Sequence, residues 1–86
     1  MTETLRFEIT TAWTEVANNS PDVLIQRLSV EDVRVHVGAS VPAADAPALL
    51  LGGASRTAVH FAFLAAGDRV FVAGASGPAT VVVVRA

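Results

Sequence analysis

GDRVFVAGASGPATVVVVRA, residues 67–86, is the stretch on which the fold turns. Residues 69–73 and 79–85 are rich in β-branched and aromatic side chains, with Val81, Val82, Val83 and Val84 in unbroken succession, and neither run suits a helix. The link Ala75-Ser76-Gly77 between them predicts a terminal β-hairpin in which Gly77 takes the left-handed position of a three-residue loop. That register sets Phe71 opposite Val81 and Arg69 opposite Val83. Alternation then puts Val70, Val72, Val82 and Val84 on one face, and Arg69, Phe71, Val81, Val83 and Arg85 on the other. Both faces are apolar in the middle. Buried arginines without partners are costly, so the face with Arg69 and Arg85 at its ends must open to solvent there. Phe71, Val81 and Val83 are therefore expected to lie between subunits or against a partner, while Val70, Val72, Val82 and Val84 fill the subunit's own core.

Working outward, Leu5, Phe7 and Ile9 alternate with Arg6, Glu8 and Thr10, the cleanest half-buried strand signal in the chain. A short extended piece at residues 12–16 carries the single tryptophan, Trp13, whose apolar body and indole N–H suit a core edge or an interface; it joins the interface candidates. Asn18-Asn19-Ser20-Pro21-Asp22 is a dense turn signal. Residues 23–28 and 32–37 predict a second hairpin around Ser29-Val30-Glu31, with Val33, Val35 and Val37 inward and Arg34 and His36 outward. A helix starting at Pro21 is the weaker reading, since Val23 and Ile25 are β-branched and the run is short. Residues 38–53 predict a loop that crosses the molecule and returns as a short strand at Leu49-Leu50-Leu51. Val59, Phe61 and Phe63 then alternate with His60, Ala62 and Leu64 as a long core strand. The expected core is Leu5, Phe7, Ile9, Val33, Val35, Val59, Phe61, Phe63, Val70 and Val72. About seven to eight short strands with frequent turn signals predict an all-β domain spanning residues 1–86, a small antiparallel β-sandwich or jelly-roll-like barrel.

Composition narrows the function. With 86 residues and no cysteine the chain has no disulfide or thiolate metal site to staple a small core, and 52% hydrophobic against 16% charged residues is rich for so much surface. Oligomerisation is the remaining stabilising device. A net charge of −2, six scattered arginines and no lysine argue against nucleic acid. No apolar run approaches the roughly 18 residues of a membrane span, and the start lacks a basic and then apolar leader, so the expectation is a soluble chain made in a cytoplasm.

Catalytic signals are sparse. His36 and His60 fall on separate predicted strands with no carboxylate at ligand spacing, whereas a zinc site needs three or four ligands. Asp22, Glu31, Asp32, Asp45 and Asp68 sit at turns, where local backbone hydrogen bonds explain them. Gly52-Gly53-Ala54-Ser55-Arg56 lacks the ending of a phosphate loop, and no serine stands in a nucleophile elbow. The expectation is no enzyme, no metal and no cofactor.

WTEV at 13–16, VLIQ at 23–26, VRVHV at 33–37, ASVP at 39–42, LLLG at 49–52, GDRVFV at 67–72 and ATVVV at 79–83 together resemble the short β-proteins of tailed bacteriophages and gene transfer agents that decorate capsids or form the base of head spikes and fibres. The likeness covers nearly the whole chain and is a rhythm of strands and turns, without an invariant chemical motif. It implies a virion structural protein, made in the bacterial host cytoplasm, that forms a homo-oligomer, a trimer favoured, and packs on the major capsid protein or other virion proteins. A receptor- or carbohydrate-binding module of a fibre or tail is the alternative; it would favour exposed aromatics, and the chain offers Trp13, four phenylalanines and no tyrosine.

Overall fold

Eight strands and no helix make up the described residues, 2–52 and 57–86, of the computed structural model. They are β1 (Glu3–Ile9), β2 (Thr14–Asn18), β3 (Val23–Arg27), β4 (Val33–Gly38), β5 (Leu49–Leu51), β6 (Ala58–Phe61), β7 (Arg69–Gly74) and β8 (Ala79–Arg85). The pairing is nested and antiparallel: β1 with β8, β2 with β7, β3 with β6, β4 with β5. The chain is thus one long hairpin whose bend is the β4–β5 connection. Two further antiparallel pairings, β3 with β8 and β4 with β7, roll that hairpin into sheets ordered β1-β8-β3-β6 and β2-β7-β4-β5. This is the jelly-roll form of the β-sandwich that the alternating runs predict.

The nesting overturns the expected terminal hairpin. β7 and β8 lie in opposite sheets, so Phe71 stands beside Glu15 and His36, while Val81 stands beside Phe7 and Arg27. β8 is central and has β1 on one side and β3 on the other, which leaves no side for β7. The glycine-rich link is a corner between sheets. Gly74 N–H donates to the Thr10 carbonyl at 2.8 Å and Ala75 N–H to the Asp32 carbonyl at 2.8 Å, tying the corner to the strands it leaves behind. A Cβ on Gly74 would come within 1.8 Å of the Gly77 carbonyl oxygen, so this turn closes only over glycine. The expected hairpin around Ser29-Val30-Glu31 is likewise a corner, since β3 and β4 lie in different sheets.

Parity follows from β1. Its inward Leu5, Phe7 and Ile9 lie opposite Val83, Val81 and Ala79, so the odd-numbered residues of β8 point into the sandwich. Val81 and Val83, expected at an interface, are fully buried in the subunit's own core, and Val82 and Val84, expected in the core, are half-buried on the outer face. The core also holds Ile9, Val16, Val23, Ile25, Val33, Val35, Val70 and Val72, with Phe7, Val59 and Phe61 packed against it. Phe63 departs from expectation. β6 ends at Phe61, Phe63 adopts a φ of 60° and is 95% exposed, and Leu64 supplies the core contact instead.

Arg27 shares the inward parity of Val23 and Ile25 and is 1% exposed. Its Nη1 donates to the Val30 carbonyl at 2.8 Å and stands 3.8 Å from Asp32 Oδ1, so the cation closes one end of the sandwich against the β3–β4 corner. At the opposite end Asn19, at φ 58°, donates its N–H to the Asp68 carbonyl and accepts from Gly67 N–H on its side-chain oxygen, joining the two turns there.

Val83→Asp is expected to prevent folding, because an unpaired buried carboxylate costs several kcal/mol against the roughly 5–15 kcal/mol that holds such a domain together. Val82→Asp should lower the melting temperature only slightly. Circular dichroism with thermal melts of both variants checks the parity; the reverse pattern would contradict it.

Candidate functional site

Among the described residues the interior is packed with apolar side chains and closed at one end by Arg27, so the candidate sites lie on the surface, where the two outer faces differ. On the outer face of the β2-β7-β4-β5 sheet, residues 39–48 fold back as a cover. Trp13 Nε1 donates to the Ala43 carbonyl at 2.9 Å and Arg34 Nη1 to the Ala44 carbonyl at 2.8 Å. His36 Nδ1 lies 2.8 Å from the Pro47 carbonyl, which can only accept, so that nitrogen carries a proton. The Arg34 guanidinium sits 4.6 Å above the Trp13 ring, and the rings of Trp13, His36 and Phe71 follow one another at 5.9 and 6.5 Å. Phe71 lies beneath this layer at 1% exposure. Phe71 points outward as alternation predicts, but it is covered within the chain by His36, Trp13 and the loop bonded to them, so it is not free for the expected contact between subunits. Trp13 is half-buried and anchors the same loop. Arg34, whose outward parity alone was legible, is the clamp that sequence reasoning missed.

Among the described residues no loop folds over the outer face of the other sheet. Pairing register lines up Thr4, Val84, Leu24 and His60 in one row, and Arg6, Val82, Gln26 and Ala58 in the next. Beside the first row lies a shallow hollow of about 410 Å³ lined mainly by Leu24, Val84, His60, Asp22 and Arg85. His60 Nε2 is 3.5 Å from Asp22 Oδ1, with both side chains more than half exposed. At the end of the face the Thr80 hydroxyl donates to Glu8 Oε2 at 2.5 Å. That bond holds the Glu8 carboxyl below its usual range, with neighbouring Arg6 acting in the same sense.

His36 and His60 stand on different sheets, and among the described residues no three His, Cys, Asp or Glu side chains gather as metal ligands would. The glycine-rich stretch 52–56 lies, from Gly53 onward, outside the described residues. Large apolar side chains stand in solvent: Val30 at 92%, Phe63, Val41, Leu49 and Leu50. No family profile, no curated protein and no solved structure matches this chain.

Arg34→Ala is expected to loosen the cover, shifting the emission of the single Trp13 to longer wavelength and destabilising the fold by about 1–3 kcal/mol through one lost cation–π contact and one unmatched carbonyl. Steady-state fluorescence and a urea titration read the two effects together.

Proposed function

We propose that this chain is a structural subunit of a tailed-phage or gene-transfer-agent particle, a capsid decoration or head-spike or fibre-base protein that works by packing against copies of itself and against the major capsid protein. The observation that carries the reading is the inversion of a ligand-binding jelly roll: the interior is closed by valines, and leucine, valine and phenylalanine side chains stand outside. Exposed side chains of this kind supply binding energy to a broad protein surface. Jelly rolls serve in viral capsids, lectins and cupins alike, so the fold leaves the choice to the surface. A sugar-binding module would stack its ligand on exposed aromatics, and with Trp13 already held between Arg34 and Ala43 only Phe63 is left fully exposed for that role, which favours the packing reading. The action is passive, each bound copy stabilising the assembled shell by mass action.

The test is cosedimentation of the purified chain with particle heads stripped of accessory proteins. Saturable binding that raises the temperature of head disruption is expected, and binding to glycans without binding to heads would replace this reading with the alternative. Leu50→Glu, at an exposed position of β5, should weaken head binding by about tenfold or more while leaving the circular dichroism unchanged.

A further inference from the structure

The nested pairing leaves four strands at sheet edges, and three of them are poor templates for another chain. β5 has three residues, β6 has four, and β2 is interrupted by a bulge between Glu15 and Ala17. β1 runs seven residues without bulge or proline.

The direction of its free groups is fixed by β8. Thr80 receives Leu28 N–H on its carbonyl at 2.9 Å and gives its own N–H to Ser29 Oγ at 3.1 Å, so even-numbered residues of β8 bond toward β3. Odd-numbered ones bond toward β1, and through the register Leu5, Phe7 and Ile9 face β8. Thr4, Arg6 and Glu8 therefore turn their backbone N–H and C=O groups away from the sheet, and none of them bonds to another part of the described chain.

We propose that β1 pairs antiparallel with β1 of a second copy of this chain, about a twofold axis through Phe7. In that register Arg6 lies opposite the partner's Glu8 and Glu8 opposite its Arg6, and these are residues whose backbone groups point outward and can exchange hydrogen bonds. Phe7 meets the partner's Phe7, and Leu5 meets its Ile9, on the inner face that continues the core. Within one copy Arg6 Nη2 already contacts Glu8 Oε1 at 3.2 Å. The dimer thus carries a square of four charges in which every neighbour, along the strand and across it, is of opposite sign. Sliding the partner by two residues in either direction, the next registers that keep the backbone groups matched, puts Arg6 opposite Arg6 or Glu8 opposite Glu8. Charge complementarity thus selects both the occupant and the register. The contact is independent of the virion reading and yields a dimer, where the family likeness points to a trimer.

Charge reversal tests it in solution. The wild-type chain should sediment as a dimer; Arg6→Glu or Glu8→Arg alone should raise the dissociation constant by about tenfold or more, because each sets like charges opposite one another twice. An equimolar mixture of the two variants should recover the dimer, with native mass spectrometry finding one of each. The reversed double variant, Arg6→Glu with Glu8→Arg, should recover it alone, which keeps the test decisive if one single variant melts early. A monomeric wild type, single variants that dimerise as wild type does, or no recovery in either the mixture or the double variant overturns the contact. Head cosedimentation of the same proteins fails or succeeds on its own, so the two readings fall separately.

Discussion

Everything in this fold depends on the two ends of the chain finding each other. The ladder from Glu3 opposite Arg85 to Ile9 opposite Ala79 joins residues about as far apart in sequence as the chain allows, and the other three pairings are nested inside it. Because β8 also pairs with β3, one strand fixes the width of its sheet, the parity of its valines and the position of both edges. Such a topology meets loop-closure entropy before it gains contacts, which places it among the slow-folding classes. The close-range ties at the corners, Gly74 to Thr10 and Ala75 to Asp32, then hold strands that are distant in the chain at a fixed separation.

Local period was legible and long-range pairing was not. The alternation of Leu5, Phe7 and Ile9 marked both strand and inward face correctly, and Val33 and Val35 did the same for β4. Val81 to Val84 has no alternation, so nothing in that run says which valines turn inward; the answer comes from β1, far away in sequence. A Gly-Ala-Ser-Gly-Pro link serves a hairpin and a sheet-to-sheet corner equally well in composition. What separates them is whether the strands it joins have other partners, a property of the whole topology. Phe63 shows a smaller failure of the same kind. Alternation continues through it, but the chain leaves the strand at Phe61 to reach the Pro21 carbonyl through Leu64 N–H, and the left-handed residue between is spun out to solvent.

The surface was legible in kind and misplaced in position. An excess of apolar residues over what a small core can hold does appear outside, at Val30, Val41, Leu49, Leu50 and Phe63. The residues first assigned to that role are covered because two separate devices absorb them: the second sheet covers Val81 and Val83, and His36, Trp13 and the loop bonded to them cover Phe71. Arg34 makes the second device possible. Its guanidinium bonds a loop carbonyl and lies on the Trp13 face at once, so a segment with two prolines and no regular structure is held flat against a sheet.

Edges are where a small β-domain is most exposed to wrong partners, and charge is the usual guard. A row of like charges on β1 would repel its own copies. Arg6 and Glu8 instead carry opposite signs two residues apart on one face, while Thr80 keeps the Glu8 side chain pointed along that face. An apolar strand arriving at this edge would leave both charges partly desolvated without a match. A strand that reads Arg-x-Glu in the antiparallel sense satisfies both. The same two side chains that guard the longest edge therefore match a charge pattern that the chain itself carries.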